Sequence, residues 1–270
     1  MGKLKKGIFY TIGFFLLTGI ILSLSVLTFK NSNFSQDRFN EIIVLDRVYE
    51  TEVSMAEGFR DIIRIKSGLS ANIIGTSIKF TDMLPNNNKN EFEQELEKYK
   101  LFLENNFSVI VDVNSLKTNM ALTVKPHEIK YYHEDFGDNI IKVEAENPNF
   151  EGYILSINTI EDLNENSCVA SGSGQDVYME VYATGTTGSC SSPSHLKSTF
   201  ALYNSESELI VTMTVSGDDL TVTSSKQINI STTLDALDNL GDLSVTLPKE
   251  LLYVNFTEFG ISKNSTIILV

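Results

Sequence analysis

Residues 208–224, ELIVTMTVSGDDLTVTS, decide the fold class of this chain. Apolar and threonine side chains alternate there at every second position, which is typical of a β-strand with one buried face. The alternating apolar residues are Leu209, Val211, Met213 and Val215. Gly217 and Asp218 follow, and glycine supplies the positive φ that a tight hairpin turn needs. The stretch therefore predicts two antiparallel strands joined by a tight turn.

The same composition continues through most of the chain after Asn106, where valine, isoleucine, threonine and tyrosine dominate. Many short strands at close spacing favour antiparallel sheets packed as a sandwich. The final STIILV, residues 265–270, is too short to cross a bilayer, so we expect it to complete a sheet.

Two segments have apolar residues at the three- and four-residue steps of amphipathic helices. The first covers residues 36–66, with Ser35 as a candidate N-cap. The second runs from about Lys89 to Asn105 and carries a strongly acidic first half, which suits the helix dipole. We therefore expect one long helix before the β-rich part and one additional helix near its start.

The N-terminal stretch from Gly7 to Phe29 contains no charged residue. At about 1.5 Å per residue, a helix over this run is long enough for the roughly 30 Å hydrocarbon core of a bilayer. We therefore expect residues 7–29 to enter the lipid bilayer as a transmembrane helix. Lysines cluster before the run, so the positive-inside rule places the N-terminus in the cytoplasm and residues 31–270 outside the cell. The small residues of SLS, 23–25, leave open a cleaved and secreted form.

The start of this segment, KLKKGIFYTIGFF at residues 3–15, resembles the class III signal of archaeal type IV pilin-like proteins. The resemblance implies cleavage after Gly7 by a prepilin peptidase, which leaves the apolar helix on the mature chain. It implies an exported, membrane-anchored protein, and it is limited mainly to the N-terminal region. Bacterial pilins carry glutamate at the fifth mature position, where this chain has Ile12. A plain, uncleaved signal anchor is the alternative.

Together these patterns predict an α+β chain in three parts. Residues 1–30 are the basic N-terminus and transmembrane helix, and residues 31–75 are a juxtamembrane amphipathic helix. Residues 76–270 are a mainly antiparallel, β-rich, sandwich-like extracellular domain with one additional helix. Pro148 and the acidic EDLNENS indicate a seam between two β modules within residues 146–166.

Two cysteines, Cys168 and Cys190, lie in turn-rich stretches on either side of a predicted strand. Two isolated thiols do not have the spacing of a zinc site, and an exported location permits disulfide formation. We therefore expect a structural disulfide between them. Asn-x-Ser/Thr sequons add candidate N-glycosylation sites. They begin at Asn33, Asn106, Asn229, Asn255 and Asn264.

No catalytic motif is recognisable, so we expect no enzymatic activity, no catalytic residues, no cofactor and no metal. His127 and His133 are too far apart along a strand to chelate together, and a solvated strand explains them better. SGSGQD at residues 171–176 lacks the G-x-S-x-G nucleophile elbow. Residues whose side-chain oxygens could bind calcium lack the EF-hand spacing and fit acidic turns better. They are Asp218, Asp219, Asp235, Asp238, Asn239 and Asp242.

The formal net charge is −14, and such an acidic exterior argues against nucleic acid as a partner. The features together favour a membrane-anchored, cell-surface structural or adhesive protein of pilin-like type. Its expected partners are the lipid bilayer, other copies of the chain or envelope proteins. One alternative is a monomeric, membrane-anchored binding or accessory protein that recognises a glycan or an envelope protein. A second alternative is a surface hydrolase.

Overall fold

The computed structural model describes most of the chain. It covers residues 2–118, 120–134, 138–145, 150–172, 177–192, 198–235, 243–247 and 252–269. For residues 2–15, 31–37, 39 and 40 it describes the backbone alone. The chain divides into two compact units, Met1–Thr51 and Glu52–Val270.

Three helices lie in the described ranges: α1 (Gly2–Lys66), α2 (Lys89–Phe107) and α3 (Asn114–Thr118). α1 continues through KNSNFS, residues 30–35, because that connection contains neither proline nor glycine. α2 buries the apolar stripe expected for it and ends at Ser108, whose left-handed conformation caps the helix. α3 was not expected from the sequence.

The transmembrane helix expected over residues 7–29 is wrong. In the part of the chain that the structure describes, no helix is both long and apolar enough to cross a membrane. The expected single-pass location, with a cytoplasmic N-terminus and an extracellular C-terminal domain, is contradicted by the same finding.

The first large sheet has six strands in the order β1-β2-β14-β7-β9-β10. Its strands are β1 (Ser70–Ile74), β2 (Ser77–Leu84), β7 (Gly152–Thr159), β9 (Tyr178–Thr184), β10 (Ser189–Ser192) and β14 (Ile228–Asp235). Neighbours are antiparallel except for β7 and β9, which run parallel. β1 and β2 form a hairpin at Gly75, whose φ of 62° favours glycine.

The second large sheet has eight strands in the order β15-β4-β5-β6-β13-β12-β11-β8. Its strands are β4 (Leu122–Lys125), β5 (Ile129–His133), β6 (Ile140–Ala145), β8 (Cys168–Ser171), β11 (Thr199–Tyr203), β12 (Leu209–Ser216), β13 (Asp219–Ser224) and β15 (Ser244–Thr246). β12 and β13 are the hairpin predicted from residues 208–224, and they pair in antiparallel register around Gly217.

A third, three-stranded sheet has the order β17-β16-β3. Its strands are β3 (Val109–Asp112), β16 (Tyr253–Phe256) and β17 (Ile261–Asn264). Its inner face is apolar, because Val109, Val111, Val254 and Phe256 are buried. The chain is therefore β-rich, as expected, and the strands of its described residues form three sheets.

The main core lies between the two large sheets, because alternate residues of each strand point inward. On β2 the inward residues are Ile78, Phe80, Asp82 and Leu84, and on β5 they are Ile129, Tyr131 and His133. The rings of Phe80 and Tyr131 stack at a centroid distance of 4.3 Å. This contact joins the two sheets directly.

The C-terminal part of α1, which belongs to the second unit, packs against α2. Phe59 is buried, and its ring meets the Tyr99 ring of α2 edge-on at 4.9 Å. A Cβ at Gly58 would lie 2.1 Å from the Tyr99 hydroxyl, so this close approach requires glycine. Glu52 accepts a hydrogen bond from Ser265 Oγ at 2.7 Å, which ties α1 to the C-terminal strand region.

The predicted fold class is therefore wrong as a whole. The prediction combined a transmembrane helix with a single additional helix, whereas the described residues contain no membrane-crossing helix and include the unexpected α3. Within that prediction the β-rich character is correct, because period-two burial is a local property of each strand.

The predicted disulfide between Cys168 and Cys190 is confirmed. Cys168 lies in β8 and Cys190 in β10, which stand at the ends of the eight-stranded and six-stranded orders respectively. The bond therefore links an edge strand of one large sheet to an edge strand of the other large sheet. It closes a loop between residues 22 positions apart.

Replacing both cysteines, Cys168→Ser with Cys190→Ser, should lower the free energy of unfolding by about 3 kcal/mol, because the bond restricts the unfolded chain. Urea unfolding followed by tyrosine fluorescence measures the change. The wild-type protein under reducing conditions is the control and should unfold like the variant. An unchanged unfolding midpoint would show that the two edges are held without the bond.

Candidate functional site

A continuous apolar surface covers residues 16–29 of α1, here called the α1 apolar segment. Its nine large apolar side chains are between 52% and 67% exposed. They are Leu16, Leu17, Ile20, Ile21, Leu22, Leu24, Val26, Leu27 and Phe29. The segment contains no charged residue.

These side chains point to every side of the helix, because each residue turns the helix by about 100°. Ile20, Ile21 and Leu22 are consecutive, so they face three different directions. Two of its hydroxyl groups bond to carbonyls of the same helix: Ser25 Oγ donates to the Ile21 carbonyl at 2.8 Å, and Thr28 Oγ1 donates to the Leu24 carbonyl at 2.7 Å. Their hydrogen bonds are satisfied within the helix, so the outer surface is apolar in character.

One side of the α1 apolar segment forms a shallow groove of about 400 Å³. Gly19 and Ser23 are its small residues, and a Cβ at Gly19 would meet no atom within 4 Å. The groove is lined by Leu16, Gly19, Ile20, Ser23, Leu24 and Leu27. Because this lining recurs at three- and four-residue steps, it has the geometry that receives side chains from a neighbouring helix.

A polar cluster lies inside the second unit, between the two large sheets. His133 Nε2 is 2.6 Å from Asp82 Oδ2, and both side chains are fully buried. Since a carboxylate only accepts, the imidazole N–H donates. The Tyr131 hydroxyl donates to the same oxygen at 3.4 Å, and the Met83 N–H donates to Asp82 Oδ1 at 2.7 Å. These contacts compensate the carboxylate for its lost hydration.

The surroundings of this cluster shift two pKa values. Burial alone would lower the pKa of the His133 imidazole, but the charge and hydrogen bond of Asp82 raise it, as does the Asp138 backbone. The resulting shift is upward, so the folded chain favours the protonated ring. Burial raises the pKa of the Tyr131 hydroxyl well above its usual range, and the Asp82 charge adds to the effect.

The interpretation of the histidines as part of a solvated strand is wrong. His127 is 4% exposed and His133 is fully buried. His133 is in phase with Ile129 and Tyr131 on β5, so the period-two pattern indicated an inward position for it. Because Asp82 and His133 are both sealed from solvent, a substrate cannot reach them, and their geometry supports a role in holding the sheets together.

The other candidate residues form no recognisable reaction centre. Among the described residues, no cluster of three or more histidine, cysteine, aspartate or glutamate side chains could hold a metal ion. Asp235 accepts hydrogen bonds from Ser77 and Tyr178, and Asp219 accepts one from the Ala145 N–H at 3.0 Å. The calcium candidates Asp238, Asn239 and Asp242 and the loop residues 173–176 lie outside the described residues.

The candidate modification sites fall at scattered positions. Asn106, Asn229 and Asn264 are exposed, and Asn255 is half-buried. Gly7 and Asn33 belong to α1, but they lie outside the residues whose side chains are described. Glycosylation at the five asparagines and cleavage after Gly7 stay predictions.

The upward shift of the His133 pKa predicts that stability depends on pH. The imidazole has a pKa of 6.5 when unperturbed, as in the unfolded chain, and a higher pKa in the folded chain. Its stabilising contribution is therefore complete below pH 6.5 and is lost as the pH rises through the folded-state value. Urea unfolding should give a larger free energy of unfolding at about pH 6 than at about pH 8.

The matched control is His133→Gln, which keeps a donor toward Asp82 but does not titrate. This variant should show a flatter dependence on pH across the same range. A wild-type stability that rises with pH there, or an unchanged slope in H133Q, would contradict the assignment.

Comparison with known proteins finds no match for this chain. No protein-family model matches the chain, and neither a curated protein nor a solved structure matches it.

Proposed function

We propose that the protein is a non-enzymatic structural subunit of pilin-like type, whose copies associate side by side through the α1 apolar segment. The observation that carries the proposal is the exposure of nine large apolar side chains on every side of one uncharged stretch. Soluble monomers rarely leave more than several hundred Å² of contiguous apolar surface open to water. An apolar surface that surrounds a helix is covered only when several neighbours pack around it.

Other copies of the same chain suit this surface. No charged residue lies between Gly7 and Phe29, so identical helices meet there without like-charge repulsion. The groove at Gly19 and Ser23 accommodates side chains of a neighbouring helix, and the leucines and isoleucines beside it supply them. The segment therefore provides both the groove and the side chains that fill the groove of a neighbouring copy.

The magnitudes favour more than two copies. Fully burying a leucine or isoleucine contributes about 1.5–3 kcal/mol, so one neighbour covering half of the segment gains on the order of 10 kcal/mol. Association costs roughly 4–15 kcal/mol in lost freedom of motion, which leaves a pair marginal. A bundle in which each helix has several neighbours buries the whole segment and is favourable.

Two further features agree with this role. Residues 3–15 resemble a class III signal, and pilin-like proteins keep the apolar helix that follows such a signal. The Cys168–Cys190 bond suits a protein that works in an oxidising environment, where disulfides persist. A β-rich unit stabilised by such a bond suits a structural subunit, because the bond disfavours unfolding.

Charged substitutions in the groove should convert an assembled full-length protein into monomers. In the pair Ile20→Glu with Leu24→Glu, two carboxylates would be buried between helices, which is unfavourable. Both side chains are more than half exposed in the single chain, so its folding should be unaffected. Sedimentation velocity at micromolar concentration measures the change.

The matched control is Ile74→Glu with Ile160→Glu, which alters two side chains of the second unit that are at least as exposed as Ile20 and Leu24. This variant should assemble like the wild type. A wild-type chain that sediments as a monomer would contradict the proposal. Groove variants that assemble like the wild type would contradict it as well.

Processing provides a separate measurement. If the signal-like residues are cut as the resemblance implies, the mature chain from its native source should begin at Ile8. Mass spectrometry of the N-terminal peptide identifies the first residue. A mature chain that begins at Met1 or Gly2 contradicts the processing, and one that begins at Val26 also removes most of the α1 apolar segment.

A further inference from the structure

The order of strands in the six-stranded sheet brings polar residues from distant segments together on its outer side. β2, β14, β7, β9 and β10 lie next to one another, and their outward residues align in rows across the sheet. One row is Thr81, Ser231, Ser156, Tyr182 and Ser191. The next row is Met83, Asn229, Asn158, Thr184 and Ser189. These ten residues are here called the neutral face.

The neutral face contains no charged residue, although the chain as a whole carries a formal charge of −14. Along the strands, charged side chains appear in the adjoining row, with Lys79 and Glu180, and one further carboxylate, Glu165, borders the face beside Tyr182. Eight of the ten residues are serine, threonine or asparagine, which each offer both hydrogen-bond donors and acceptors. The surface is therefore polar but electrically neutral.

Its polar groups are available to a ligand. Ser156, Asn158, Asn229 and Thr184 are exposed, and within the described ranges no hydrogen bond uses the side chains of these four residues. The Tyr182 side chain is 44% exposed, and its hydroxyl donates to Glu180 at 3.0 Å. That bond holds the side chain by its hydroxyl group, at the rim of the ring. A face of the ring can therefore stack on a ligand.

Two shallow depressions mark this surface. One, of about 480 Å³, is lined by Tyr182, Thr184, Ser189 and Ser191, with Glu165 as its charged member. The other, of about 210 Å³, is lined by Asn158, Ile160, Gln227 and Asn229. The cross-strand pair of Asn158 and Thr184 connects them, so an extended ligand can lie across both.

The chemistry distinguishes between partner classes. Protein–protein interfaces have apolar, aromatic-rich centres, whereas the apolar members of the neutral face are Met83 and Tyr182 alone. A polyanion is disfavoured, because the chain is strongly acidic. A chain of neutral sugars matches best: its hydroxyls donate and accept, and its C–H faces stack on an aromatic ring. We propose that the neutral face binds a neutral polysaccharide.

The test uses the full chain, produced without a glycan at Asn229 and checked by intact mass, because an attached glycan would cover the face. Binding isotherms are measured on immobilised mannan, laminarin and hydroxyethylcellulose, with alginate as the anionic comparison. We expect saturable binding to at least one neutral polymer and none to alginate. Tyr182→Ala should weaken that binding roughly tenfold, and so should Asn158→Ala with Asn229→Ala.

The matched control is Tyr253→Ala, which removes a tyrosine that is 41% exposed on the three-stranded sheet. It should bind like the wild type, and urea unfolding should show that the variants fold equally well. Absence of binding to all three neutral polymers overturns the proposal, as does equal weakening by Y182A and Y253A. Self-association that the neutral-face variants abolish would also overturn it, because a second copy would then be the occupant. The α1 groove variants do not alter these residues, so the two proposals fail separately.

Discussion

The contact between β2 and β5 holds the two large sheets of the second unit together. Phe80 stacks on Tyr131, and two residues further along the same strands Asp82 meets His133. The first contact is apolar, and the second is a buried polar pair whose partners depend on each other. Removing one member of such a pair typically costs about 3–5 kcal/mol, because the other remains buried without compensation. The two contacts therefore join β2 and β5 across the core.

Closure of the two sheets has consequences at both their edges and their outer sides. At one edge, β8 and β10 come close enough for Cys168 and Cys190 to form the disulfide, although each strand belongs to a different sheet. On the outer side of the six-stranded sheet, inward burial of apolar residues leaves serine, threonine and asparagine facing water. The neutral face is thus a by-product of the same alternation that builds the core.

The α1 apolar segment follows a different rule. Most strands and helices of the second unit bury one side and expose the other, whereas residues 16–29 expose apolar side chains in every direction. Such a helix is stable in water only when something surrounds it, since each exposed leucine or isoleucine keeps an unfavourable contact with solvent. The proposed assembly of like helices supplies that cover, and the β-rich unit needs no such partner for its own core.

Local patterns predicted a substantial part of this structure. The β12–β13 hairpin, the helix beginning at Lys89 and the disulfide all follow from short-range signals in composition and spacing. β10, Ser189–Ser192, was missed because a run of serines around one cysteine carries no hydrophobic alternation. The burial of His133 was misjudged, because its residue type was given more weight than its phase with Ile129 and Tyr131. The transmembrane prediction relied on the length of an uncharged apolar run behind a cluster of lysines, and the described helix does not support it.

The amino-acid sequence by itself determined, for most strands, which residues face inward, and it determined where the β12–β13 turn falls and which stretch of the first helix is uncharged. Those properties depend on neighbours a few positions away. The order of the strands was decided only in three dimensions: β14 lies between β2 and β7, although these segments are far apart along the chain. Period-two alternation recurs in most of the strands, so it does not identify which strand pairs with which. Which strands become neighbours depends on how side chains from distant segments pack together in the closed core, and that packing exists only in three dimensions.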